Sequence, residues 1–188
     1  MLKNLAICIM LILLAVACGQ SDNQQKQSKD TGGYDMVLKL TSTAFEEGGM
    51  IPARFTCDGE DVSPSLSWSE TPERTKSFAL ICDDPDTPMG TWIHWVLYNL
   101  PPDVTELAEA IPSSDPLESG ARQGVTSFGR PGYGGPCPPS GTHRYFFKLY
   151  ALDTVLNLEK TATSQDLLEA MKGHILAAGQ LMGRYKRL

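Results

Sequence analysis

Two aspartates, two histidines and a tyrosine stand where they could do chemistry together. Asp84 and Asp86 lie in "DDPDTP", residues 83–88. His94 follows in "WIHWVLYNL", residues 92–100, and His143 and Tyr145 open "HRYFFKLYAL", residues 143–152. A carboxylate beside an imidazole favours the imidazolium and selects which ring nitrogen carries the proton. A protonated His94 or His143 could then hold a phosphate, helped by backbone N–H groups from "GGPCPPSG", residues 134–141. A carboxylate in the same place repels a bare anion. A zwitterion therefore fits better, with its phosphate on the histidines and its amine on Asp84. Taken singly, each histidine reads more simply as a hydrogen-bonded strand residue at a core edge. His174 reads that way outright, because it falls beside the apolar stripe of an expected helix.

Strands must bring these residues together. Side chains alternate faces along a strand, so His94 is expected to share a face with Trp92 and Val96, and His143 with Tyr145 and Phe147. Both histidines sit near strand starts, and Asp84 and Asp86 end the preceding strand candidate, "KSFALIC". Pro85 and Pro88 fix φ and remove donors. They hold the aspartates in a rigid turn that aims a carboxylate at an imidazole, with Thr87–Pro88 the expected cis bond. "MVLKLTSTAF" and "SPSLSW" supply further strands. The connection over residues 101–141 is long, and its glycines and prolines point to rigid turns. One helix is expected from Thr163 through "TSQDLLEAMKGHILAAG", with Leu167, Met171, Ile175 and Ala178 on one stripe and Gly179 as the stop. Thr163 or Ser164 caps it, with Asp166 near its positive end. "QLMGRYKR" reads as a last strand. The sum is a mostly-β sandwich with a C-terminal helix and peripheral short helices.

The 188 residues suit one domain behind a leader. Lys3 precedes an apolar run from Leu5 to Ala17, too short for a bilayer core that takes about 20 residues. Residues 1–17 read as a signal peptide. "LLAVACGQ" resembles a bacterial lipoprotein signal in which Cys18 is lipidated, although Ala15 stands where leucine is usual; an ordinary signal peptide is the alternative. Residues 18–33 then form a polar, flexible tether, and residues 34–188 the domain. Gly19 fits outer-membrane sorting in a Gram-negative cell envelope. The net charge of −6, one unit more negative without Lys3, and the lack of a basic run exclude nucleic acid as a main partner. Any anion site must be local.

Of the cysteines outside the leader and the lipidation position, Cys82 sits in an apolar run and reads as a buried thiol. Cys57 and Cys137 both fall in loops and form the natural disulfide pair; three reduced thiols are the alternative.

"DDPDTP", "WIHWVLYNLP" and "GYGGPCPPSGTHRYFFKLYALD" together resemble the phosphatidylethanolamine-binding protein family, in its bacterial Raf kinase inhibitor-like branch. The DPDxP motif reads as Asp84 to Pro88, the downstream histidine as His94, and the GxHR-type motif as Gly141 to Arg144. "FTCDGEDVSPSLSW" and "LMGRYKR" extend the resemblance over about residues 36–187. It implies a β-sandwich with an anion pocket at one end. Asp84, His94, His143 and Tyr145 would bind; Gly135, Pro136 and Pro138 would form the rim; Asp86, Pro88 and Trp92 would shape the site. Family ligands include phosphate-like anions and phosphoethanolamine head groups, and some relatives inhibit kinases or proteases. An exported domain cannot meet a cytoplasmic kinase, so that role does not transfer.

Three functions compete. The first is non-catalytic binding of a phosphate-bearing or phosphoethanolamine-like ligand, without cofactor or metal. The second is a protein-interaction module, such as an inhibitor of an envelope enzyme, using the 101–141 segment. The third is a hydrolase in which two histidines and an aspartate hold zinc. Neither HExxH nor GxSxG supports that last reading.

Overall fold

The computed structural model describes residues 36–187. The leader, Cys18 and the 18–33 tether lie outside the described residues. The domain is mostly β. Its strands are β1 (Met36–Val37), β2 (Lys39–Thr41), β3 (Leu66–Ser69), β4 (Ser77–Asp84), β5 (Trp92–Leu100), β6 (Glu106–Leu107), β7 (Arg122–Gln123), β8 (His143–Leu152) and β9 (Ile175–Tyr185). One helix, α1 (Ser164–Ala170), and a 3-10 turn over Ala53–Phe55 complete it. A six-stranded sheet runs β1-β9-β8-β4-β5-β7, and a three-stranded sheet runs β2-β3-β6.

Hydrophobic patterning explains the layering. β8 alternates: His143, Tyr145, Phe147, Leu149 and Ala151 are buried, whereas Arg144 is exposed and Phe146, Lys148 and Tyr150 are half-buried. The buried set joins Leu40, Leu66 and Trp68 of the small sheet in the main core. β4 is buried at every position because both its faces are covered. Its second face, through Ala79 and Ile81, meets Val96, Tyr98, Leu152, Leu167 and Met171 in a smaller core under α1. Burying one such aliphatic or aromatic side chain contributes about 1.5–3 kcal/mol.

The helix is shorter than its stripe suggests. Thr163 caps it through a box with Asp166, as the sequence indicates. It ends at Ala170, and Gly173 at φ +79° turns the chain. Ile175 and Ala178 belong instead to β9, which lies between β1 and β8. Strand pairing overrides the helical periodicity of "ILAAG". Gly179 is no helix stop: a Cβ there would stand 2.4 Å from the Leu38 carbonyl oxygen, so only glycine permits that approach. His174 does not edge a helix core; it lies in the turn, with Nδ1 2.8 Å from Asp153 Oδ1.

The long 101–141 connection is ordered by polar anchors. Gln123 donates to the carbonyls of Pro112 and Ser114 and accepts from Trp95 Nε1, each at 2.8 Å. Asp115 accepts from Arg122 Nε and Nη2 and from Gln123 N. The cis peptide bond is Asp115–Pro116, not Thr87–Pro88. The turn after β4 closes without one, because Asp84 Oδ1 accepts from Asp86 N and Thr87 O accepts from Gly90 N.

Candidate functional site

The site is assembled where β4 ends and β5 and β8 begin. β4 pairs with both, Asp83 standing opposite Ile93 on one side and Phe146 on the other. One residue on, Asp84 reaches the face that carries His143 and Tyr145. Asp84 Oδ2 lies 2.8 Å from His143 Nδ1. The turn proline and the Asp86 N–H bond thus aim Asp84 at His143, and His94 takes a different partner. His94 Nδ1 lies 2.6 Å from the Gly134 carbonyl oxygen, which can only accept, so Nδ1 carries the proton.

A bulge places His94. Cys82 pairs with Trp95 and Asp83 with Ile93, so His94 is the extra residue. The parity of β5 changes there. His94 shares a face with Trp92, as alternation indicates, but Val96 faces the helix-side core. The His94 ring packs edge-on against Tyr145 and Phe128, centroids 5.2 and 5.4 Å apart, and Phe128 packs against Trp92 at 5.6 Å.

Burial sets the charge state. It pushes the His94 imidazole below its ordinary value, against the Gly134 bond and the Asp84, Asp61 and Asp83 carboxylates that favour the cation. Burial thus disfavours the imidazolium at His94, and Nδ1 is the nitrogen that carries the proton toward Gly134. Tyr145 is shifted upward, first by burial and next by the adjacent Asp84 charge. Its wholly buried hydroxyl lies beside the Asp84 carboxylate, close enough for a hydrogen bond to it to contribute to that shift, yet among the described residues it makes no bond of full hydrogen-bonding geometry. Asp86 leaves the cluster: its carboxylate grips Arg144 through N, Nε and Nη2, which lowers it to about 2.

Among the described residues, the buried polar side-chain atoms without a partner are Trp68 Nε1, Thr71 Oγ1, Asp83 Oδ1 and Tyr145 Oη. Access is narrow: Asp84, His94 and His143 are only 2%, 3% and 6% exposed. An open cavity of about 440 Å³ is lined by Ala53, Asp58, Pro139, Ser140, Gly141, Tyr185 and Arg187, and none of Asp84, His94, His143 and Tyr145 lines it.

Two loops frame the cluster. Cys57 and Cys137 are bonded, with Cα atoms 5.4 Å apart, and Cys82 is a buried thiol. Gly135 N donates to Asp61 Oδ1 at 2.6 Å, Pro136 O accepts from Cys57 N, and Tyr133 Oη donates to Phe55 O. Gly135, Pro136 and Pro138 are buried, whereas Pro88 is exposed on its turn. Sequence reasoning missed Gly134, Asp61 and Phe128. Gly134 acts through its carbonyl, which no residue type advertises. Phe128 could have been found as one of the two aromatics, with Tyr133, in "SFGRPGY" before the loop. No three His, Cys, Asp or Glu side chains among the described residues converge to hold a metal ion.

The sequence pattern of the phosphatidylethanolamine-binding protein family matches residues 41–186. The chain belongs to that family. It is 55% identical over 150 residues to a UPF0098 protein of Methanothermobacter thermautotrophicus, covering 80% of this chain and 99% of that one. A crystal structure described as a phosphatidylethanolamine-binding protein homologue from Chlamydia trachomatis is 46% identical, with a TM-score of 0.75 over 81% of this chain and 99% of the other. Escherichia coli YbcL, described as a member of the mammalian family, is 32% identical with a TM-score of 0.75, over 80% and 99%.

Proposed function

We propose that this family member binds a small phosphate-bearing or phosphoethanolamine-like ligand at Asp84, His94, His143 and Tyr145, without catalysis. The observation that carries the reading is the Tyr145 hydroxyl. A buried hydroxyl without a well-formed hydrogen bond costs about 1–3 kcal/mol, and this one stands beside the Asp84 carboxylate on a ring that packs against His94. An anion oxygen would accept from it. His143 is held by Asp84 with Nε2 directed away from that bond, and a proton taken up there would face the anion, with Asp84 balancing the charge. His94 Nε2, as an acceptor, suits a protonated phosphate oxygen. Asp84 accepts from Asp86 N and stands against His143 Nδ1, which orients that ring, and its remaining lone pairs leave room for an amine.

The leader and Cys18 support export and lipid anchoring at the cell envelope, a placement tested by radiolabelled lipid incorporation that Cys18→Ser abolishes. Calorimetry with inorganic phosphate and phosphoethanolamine tests the binding. Saturable heat that His143→Ala removes is expected, and no heat with either ligand refutes the reading. A protein-interaction role has its own support in Met89, 87% exposed on the turn after β4, and Phe128, 40% exposed at the cluster edge. Loss of partner capture in Met89→Ser with unchanged phosphate binding would favour it.

A further inference from the structure

We infer that the cavity beside the cluster is a second subsite, and that it takes a second anionic group of the same ligand. The inference rests on the phosphate reading above and narrows the ligand class: a phosphate ester that carries a carboxylate or another phosphate on a short spacer.

One residue of the cavity wall is the strand neighbour of one residue of the cluster. His143 and Tyr185 are cross-strand partners in β8 and β9. Both are buried on the same face of the sheet. Cross-strand neighbours on one face have Cβ atoms about 5 Å apart. His143 reaches the cluster, and Tyr185 lines the cavity. Ser140 and Gly141, which also line it, run straight into His143 through Thr142. A group at His143 Nε2 and a group in the cavity therefore lie within one short spacer of each other.

The charge balance of the cavity favours an anion. Asp58 is its one acid, and both its oxygens are used: Oδ2 accepts from Tyr185 Oη at 2.8 Å and Oδ1 from Arg187 Nε at 3.1 Å. Arg187 spends only Nε on that contact. Its Nη donors have no partner among the described residues, and its side chain is half exposed at the cavity. A guanidinium with free donors binds a carboxylate or phosphate oxygen by charge-assisted hydrogen bonds. The exposed Ser140 side chain, which has no hydrogen-bond partner among the described residues, adds a neutral donor. The disulfide holds the two sides together, because Asp58 follows Cys57 and Pro139 lies two residues past Cys137.

Calorimetry with O-phosphoethanolamine and O-phosphoserine tests this, since the two differ by one carboxylate. Phosphoserine should bind about tenfold more tightly, the gain expected of one charge-assisted contact. The gain should vanish in Arg187→Gln and persist in part in Arg187→Lys, with each variant's own phosphoethanolamine affinity as reference. A three-carbon bisphosphate against its monophosphate is the second arm; a gain there alone, lost in Arg187→Gln, assigns the second group as phosphate. Binding of phosphoethanolamine with no gain in either arm, or a gain that survives Arg187→Gln, overturns this inference and leaves the phosphate reading standing. No binding of any of these ligands, inorganic phosphate included, overturns both.

Discussion

Tyr145→Phe separates ligand binding from stability in opposite directions. The Tyr145 ring is fully buried and packs against His94. Among the described residues its hydroxyl makes no hydrogen bond of full geometry, although the Asp84 carboxylate stands beside it. An unpartnered buried hydroxyl forfeits its hydration, which costs about 1–3 kcal/mol. Deleting it while keeping the ring removes that cost and forfeits a few dispersion contacts of one oxygen, each about 0.1–0.2 kcal/mol. The unliganded variant should therefore be as stable as the parent or more stable by about 1 kcal/mol, unlike most core substitutions. Ligand binding should move the other way. A hydrogen bond to a charged group contributes about 1.5–3 kcal/mol, so phosphate affinity should fall roughly ten- to a hundred-fold. Urea unfolding of both proteins without phosphate, then calorimetry with it, measures the two effects. Destabilisation by more than about 1 kcal/mol would refute the reasoning, because it would mean that the hydroxyl is satisfied by Asp84 in solution.

Burial holds the folded-state pKa of His94 below its unfolded value. The unfolded chain then binds a proton that the folded one refuses, so stability falls as pH drops below about 6.5 and keeps falling until the folded pKa is reached. His94→Gln should flatten that limb in urea titrations between pH 7.5 and 5, and an unchanged slope would contradict the assignment. The Cys57–Cys137 bond closes a loop with a sequence separation of 80. On the chain-entropy account its removal costs about 4 kcal/mol. The Cys57→Ser/Cys137→Ser pair should lose about 2–4 kcal/mol in urea unfolding, and a loss below about 1 kcal/mol would show that the loop hydrogen bonds suffice without it.

What the sequence disclosed depended on whether the signal lay in side chains or in backbone. β4, β5 and β8 are legible because each is an apolar, aromatic or β-branched run with turn residues at its ends. The approach of Asp84 to His143 was legible from the motifs, and β8 alternates from His143 to Ala151, so its faces follow directly over that span. β5 does not. Its bulge at His94 leaves no mark in "WIHWV", and the face of Val96 was misassigned as a result. The helix ran too long because Ile175 and Ala178 continue a 3.6-residue stripe that strand pairing with β8 overrules. The carbonyl of Gly134 that fixes the His94 proton was invisible, since a backbone acceptor has no sequence signature. The narrow access to the cluster follows from packing of Phe128 over His94, a contact across 34 positions of chain.

The central claim is that His94, His143 and Tyr145 meet one anion. A phosphate titration followed by nuclear magnetic resonance, observing the two imidazoles and the Tyr145 ring, tests it most directly. All three should shift together along one saturation curve, with Asp84→Asn weakening it. Phosphate that leaves these rings unmoved, or moves only surface groups remote from β4, would contradict the account.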